Sequence, residues 1–371
     1  MTFPDHLPRY NRHQTYQWNY DHAPEPATGH VPMMLGEWDF FGLPTHSPLG
    51  IPAGPLLNGR WILYYASLGF DVLTYKTVRS TARQCYPLPN LQPVQCDMLA
   101  GGEERLSGVP QEMASWAVSF GMPSMSPDVW REDVRWTQQQ LPPGKVLTVS
   151  VVGSVQPGWS MAQLADDYAQ CAAWAVEAGA DVVEANLSCP NVSTCDGQLY
   201  QQPAAARLVA QRLRDAVGDT PLVLKIGHVP EAESASLLLE AVAPAVDGLA
   251  MTNSVAVTVL DASTGKLLFD GERRGICGQA TRQASLNQVR LFHEICERMG
   301  LSLKLIGVGG ASTADDVKAY LAAGAHHVQL ATAAMLNPAV ALQIRRDWKP
   351  DTVEPMLLGG KPFQNTKNKP T

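Results

Sequence analysis

The sequence predicts a (β/α)8 TIM barrel, and three observations carry that prediction. From residue 49 onward, short apolar runs alternate with amphipathic helical patterns, eight times in succession. Many of the runs are apolar enough to be buried on both faces, as strands of a helix-covered parallel sheet must be. Several of the runs end in lysines, amides or glycine-rich turns, and the C-terminal end of a barrel strand is where this fold collects its functional groups.

The strands fall at 50–53, 72–75, 146–152, 182–186, 222–226, 248–251, 303–307 and 327–330, with helices such as 161–178 and 314–323 between them. The spacing is uneven. Long segments follow the second strand, including the Pro- and Met-rich run 86–128, and the sixth. Such βα segments lie on the C-terminal face, where barrel active sites are built. Residues 1–46 are rich in aromatics and prolines without helical periodicity, which predicts an extended arm rather than a domain. Trp18, Tyr20, Trp38 and Phe40 are its anchors, and it is read as a cover for one barrel face rather than a substrate lid. Residues 47–345 then form the barrel domain and 346–371 a C-terminal tail.

A net charge of −7 leaves no basic surface for nucleic acid. Residues 1–36 lack a basic-plus-apolar leader, and no apolar run reaches membrane-spanning length. The expectation is a cytoplasmic protein with no membrane partner. Seven cysteines (Cys85, Cys96, Cys171, Cys189, Cys195, Cys277, Cys296) make an odd number and form no Cys-x-x-Cys pair. Disulfides, zinc, iron–sulfur clusters and other metal sites are not expected.

The richest stretch is 181–193, Asp-Val-Val-Glu-Ala-Asn-Leu-Ser-Cys-Pro-Asn-Val-Ser. It runs from a strand into a loop of amides, hydroxyls and one thiol that Pro190 bars from helix. The first strand ends in Pro52-Ala53-Gly54-Pro55, small enough for backbone to approach something flat. Lys76 ends the second strand and Lys225 the fifth, while Thr252-Asn253-Ser254 follows the sixth. After the seventh and eighth come Gly307-Val308-Gly309-Gly310 and Leu330-Ala331-Thr332, the usual place of a barrel phosphate site. A lysine beside an electron-accepting ring suits a flavin more than a sugar phosphate. By these residues alone the ligand is a phosphorylated cofactor or substrate.

The same residues carry a resemblance. Ala53-Gly54 with Asn58-Gly59, Thr74-Tyr75-Lys76-Thr77, Asn186-Leu187-Ser188-Cys189-Pro190-Asn191, Val223-Leu224-Lys225-Ile226, Thr252-Asn253-Ser254, Ile306-Gly307-Val308-Gly309-Gly310 and Val328-Gln329-Leu330-Ala331-Thr332 fall in order. In this the chain resembles the dihydroorotate dehydrogenases and the related barrel of dihydropyrimidine dehydrogenase, over 47–345. The Asn-Leu-Ser-Cys-Pro-Asn run is the specific part, whereas the glycine motif is shared with many flavin and phosphate barrels.

The resemblance implies FMN on the barrel mouth, touching Ala53, Gly54, Lys76, Thr77, Asn186, Lys225 and Thr252. Gly278, Gly309, Gly310, Ala331 and Thr332 would hold its phosphate. Cys189 would be the acid/base for one proton of a substrate C–C bond while hydride passes to or from flavin N5, and Lys76 would touch both flavin and substrate. Asn186, Asn191, Asn253 and Ser254 would hold the substrate's amide-like edges, and Phe120, Gly121 and Met122 its carboxylate. A thiol with an ordinary pKa of about 8.5 suits proton exchange near neutrality. Membrane-associated members have Ser at this position, so Cys189 places the chain nearer the soluble branch.

One departure bears on the substrate. Where the family carries an Asn that grips the substrate ring, this chain has Val118, in Val118-Ser119-Phe120-Gly121-Met122-Pro123. Together with the arm and segment 255–274, this points to a paralogue acting on another small cyclic or conjugated, carboxylate-bearing substrate. Genuine dihydroorotate oxidation with a soluble acceptor is the nearest alternative. A flavin-free phosphosugar lyase or isomerase, with Lys225 as a Schiff-base amine, is a third reading; a silent binding protein is a fourth, disfavoured by the intact thiol and lysines. No separate nicotinamide-binding unit is visible, and a homodimer is expected from the resemblance.

Overall fold

Eight parallel strands close on themselves in chain order: β1 (Leu49–Ile51), β2 (Val72–Val78), β3 (Val146–Val151), β4 (Val182–Asn186), β5 (Leu222–Lys225), β6 (Gly248–Met251), β7 (Lys304–Val308) and β8 (His327–Gln329). Closure is made where Val328 of β8 pairs with Leu49 of β1. The structure is a computed structural model describing residues 3–4, 6–99, 101–188 and 198–349, so Cys189, Asn191 and Cys195 lie outside the described residues. All eight predicted strands are present, with ends shifted by at most three residues.

The strands are apolar on both faces because both faces are covered: every residue of β2 and of β3 is buried. The covering helices start where the sequence supplies caps. Ser160 with Gln163 forms a capping box for helix Met161–Glu177, and Thr313 with Asp316 does the same for Ala314–Ala322.

The arm is not wholly extended. It contains a six-residue helix, Tyr16–Asp21, capped by Thr15, and a hairpin of Trp38–Phe40 with Leu43–Thr45. Neither is long enough to leave a periodic signal. Phe40 is buried among Val72, Val146, Val182 and Val223, at the starts of β2 to β5, and so plugs the bottom of the barrel. Trp38 and Tyr20 are partly buried, whereas Trp18 is the exposed one and stacks on His22 instead. Near the bottom, Asp71 is shared by Lys145 at 2.6 Å and Arg345 at 2.5 Å, and Arg345 also donates to Ser47 Oγ at 2.8 Å. This buried cluster ties helix Val340–Asp347 to the barrel.

The long segments after β2 and β6 hold structure that the sequence reading leaves out. Strands Leu91–Gln95, Arg105–Gly108, Ser115–Val118, Val255–Asp261 and Arg274–Gly278 form a second, five-stranded closed sheet. Val255–Asp261 alternates buried and half-buried residues along most of its length, and Val255, Val257 and Val259 meet Val94, Ala117 and Ile276 in a small core of their own. Among the described residues, no helix is long and apolar enough to cross a membrane.

Candidate active site

The strand ends and the inserted sheet together enclose a cavity of about 330 Å³. Ala53 and Gly54 after β1, Lys225 ending β5, and Thr252 and Asn253 after β6 line it. Gly309 and Gly310 after β7 and Ala331 and Thr332 after β8 complete the barrel's share of the wall. Gly278 and Phe120 come from the inserted segments, so residues far apart in sequence meet on one wall.

The glycines are here because backbone itself forms the wall. Gly278 has φ +97°, and a Cβ on it would lie 2.2 Å from Ala114 O. Gly310 has φ +69°, and its Cβ would lie 2.8 Å from Gly278 O. Only glycine meets both the dihedral and the contact. At the helix that follows β7, the first amides are already engaged. Asp316 accepts from the N–H groups of Ser312 at 2.9 Å and Thr313 at 3.1 Å, and Thr313 Oγ accepts from Asp316 N–H at 3.1 Å. Burial opposes ionisation of Asp316, but these hydrogen bonds and the Arg282 guanidinium outweigh it and hold the carboxyl below its usual range. The Ser312 and Thr313 amides are therefore already satisfied, while the glycine turn before them and Thr332 after β8 line the cavity. A backbone-lined pocket of this kind, with a buried ammonium on the same cavity, fits a phosphorylated flavin.

Lys225 is paired with Glu184 of β4 at 3.1 Å, and both side chains are nearly fully buried. Glu184 is a residue the sequence reading misses, although a charge inside an apolar strand, two positions from Asn186, is a visible signal. Cys277 is the second miss. Its thiol lines the cavity, approaches Asn253 O at 3.7 Å, and is pushed up to about 12 by burial despite the Lys225 ammonium nearby.

Of the other predicted residues, those that are described stand behind or beside this wall. Lys76, at the barrel mouth, is buried and donates from Nζ to Pro123 O at 2.7 Å. Thr77 Oγ1 shares a hydrogen bond with Ser150 Oγ at 3.0 Å. Asn186 Oδ1 accepts from Ser188 N–H at 3.0 Å while its Nδ2 points at Met122 Sδ, 3.5 Å away. Asn253 Nδ2 donates to Ser188 Oγ at 3.1 Å, and Ser254 is buried next to it. Gly121 and Met122 both take positive φ, +72° and +50°, in a tight turn against which the Tyr86 ring packs. Val118 lines the cavity as an apolar wall, flanked in the sheet by Leu91 and Gly275.

Comparison with known proteins places this architecture. A family model described as dihydroorotate dehydrogenase matches residues 36–349. A dihydroorotate dehydrogenase of Dictyostelium discoideum is 32% identical over 321 residues, covering 82% of this chain and 86% of that protein. The catalytic subunit of dihydroorotate dehydrogenase B (NAD(+)) from Bacillus pumilus is 32% identical over 181 residues, which is 48% of this chain and 56% of that subunit. The solved structure of an Eimeria tenella DHODH in complex with ferulenol aligns with a TM-score of 0.66 over 85% of each chain, at 19% identity, a likeness of fold. The chain belongs to the dihydroorotate dehydrogenase family and is, with it, an oxidoreductase acting on CH–CH bonds.

Proposed function

We propose that the cofactor is FMN and that the enzyme interconverts a saturated and an unsaturated C–C bond of a small cyclic or conjugated carboxylate, dihydroorotate-like in shape. The observation that carries this is one cavity that has the Gly278–Gly309–Gly310 backbone on its wall together with the buried Lys225 ammonium. When bound, FMN supplies a two-electron acceptor for hydride. The glycine turn and Thr332 would receive its phosphate, and Ala53 and Gly54 let backbone approach a flat ring. Lys225 faces the site as a fixed positive charge, and Lys76 holds a second one at the mouth. Cys189 handles the substrate proton, and Asn186, Asn191, Asn253 and Ser254 present hydrogen-bonding groups to its edges. The Phe120–Gly121–Met122 turn is the place for the carboxylate, and Val118 withdraws one amide contact from the ring.

The lyase reading loses support from the same geometry, because an amine held in a buried ion pair with Glu184 is a poor Schiff-base nucleophile. The same proposal places the enzyme in the cytoplasm as a homodimer, checked by cell fractionation and sedimentation. The deciding experiment is the visible spectrum of the purified protein, then anaerobic dihydroorotate in the same cuvette. Yellow protein that stays oxidised supports FMN with another substrate, bleaching supports dihydroorotate itself, and colourless protein that cannot be reconstituted with FMN defeats both. Cys189→Ala is expected to slow flavin reduction by at least about a hundredfold, with Cys189→Ser less impaired near pH 9 than at pH 7. Indifference to both substitutions removes the acid/base role.

A further inference from the structure

The arm reaches the active-site mouth rather than only covering a face. Asn19 knots it: Nδ2 donates to the carbonyls of Asn11 at 3.0 Å and Thr15 at 2.9 Å, and Oδ1 accepts from Asn11 N–H at 2.8 Å. Trp61 Nε1 donates to Asn19 O and Asn58 Nδ2 to Tyr20 O, each at 2.9 Å, which staples the knot to the helix following β1. The staple fixes where the Tyr16 ring lies. Lys76 Nζ sits over that ring, 5.0 Å from its centroid, while donating to Pro123 O. Phe120, from the cavity wall, meets Tyr16 and Tyr10 edge-on, with centroids 6.3 and 6.1 Å apart. Burial holds the Tyr16 phenol well above its ordinary range, so the ring faces the ammonium as a neutral quadrupole.

A lysine carries its charge on a flexible four-carbon stem, so its position must be set by what surrounds the ammonium. Pro123 O constrains it from one side and the Tyr16 face from another. We propose that Tyr16 is a positioning residue for Lys76, an aromatic face delivered by the arm that fixes the ammonium where cofactor and substrate meet. The assignment rests on the function proposed above.

The test replaces Tyr16 by Phe and then by mono-, di- and trifluorinated phenylalanine. These are close in shape, but each fluorine drains the negative face of the ring. FMN affinity is read by fluorescence quenching on reconstituting the apoprotein, and the rate of flavin reduction by stopped flow. Tyr16→Phe is expected within about twofold of wild type, and the fluorinated series to fall step by step to about a tenth in both readouts, with little change in melting temperature. In a Lys76→Met background the FMN affinities should not vary along the series, because the ring then has no cation to hold. A flat series in protein that binds FMN overturns the assignment, as does an equal slope in the Lys76→Met background. Wild-type protein that takes up no FMN defeats the functional reading and this assignment with it.

Discussion

Glu184 and Lys225 have only 2% and 3% of their side chains exposed, so each is tolerable only because the other is there. Glu184→Gln leaves an ammonium buried without its counter-charge. It is expected to cost about 3 kcal/mol of stability, read as a lowered urea midpoint. Pairing Glu184→Leu with Lys225→Met should recover most of that loss while leaving FMN affinity impaired. Val118 bears on substrate choice rather than on stability. The side chain offers an apolar surface to the cavity where the resemblance implies an amide, and a hydrogen bond made in a desolvated site discriminates by about 1–3 kcal/mol. Val118→Asn is therefore expected to raise kcat/KM for dihydroorotate by about tenfold or more, measured by anaerobic flavin reduction. No gain would mean that other parts of the pocket exclude that substrate.

At the scale of elements, the turn after β7 does its work through backbone. Gly310→Ala meets both a positive φ of +69° and a contact of 2.8 Å with Gly278 O. FMN affinity should fall at least about tenfold, since the wall proposed to receive the phosphate must shift. Gly300→Ala is the matched control. Its φ is +66° but its Cβ would enter open space, so it should cost about 1 kcal/mol of stability and leave FMN affinity unchanged. The contrast separates backbone strain from loss of the cradle. Element scale is also where the sequence reading fails most clearly. The pattern Val255-Ala256-Val257-Thr258-Val259 is an alternating strand signal, yet its partners are at 105–108 and 274–278. Pairings that span such long loops leave no local trace, so strands scattered through two insertions do not announce a common sheet.

At the scale of the whole molecule, the barrel is closed at its bottom by groups drawn from both ends of the chain. Phe40 plugs it, and its ring meets His327 of β8 edge-on at 4.8 Å. His327 is 1% exposed, and among the described residues neither ring nitrogen finds a hydrogen-bond partner. Burial lowers its pKa to about 4. The folded state thus resists a proton that the unfolded chain accepts near pH 6.5. The stabilisation is complete above that value and is lost as pH falls from about 6.5 towards 4, about 3 kcal/mol in all. Thermal melts between pH 7 and 4 should show this loss, and His327→Leu should flatten it. A slope unchanged by that substitution would assign the acid sensitivity elsewhere.

What the sequence by itself determined is the barrel and the chemistry of its rim. Doubly buried parallel strands must be apolar throughout, helices between them must be amphipathic, and reactive groups must stand at strand ends, so period and position are written locally. Lys76, Lys225 and the glycine turn stand at strand ends for that reason, and eleven of the predicted residues line one cavity. The tertiary structure alone decided which of them meet. It set Glu184 against Lys225, closed the inserted strands into a second sheet whose Cys277 faces the cavity, and carried Tyr16 from the arm to Lys76. Each of these depends on chain closure across many residues, where packing and burial choose the partner and no spacing in the sequence records the choice.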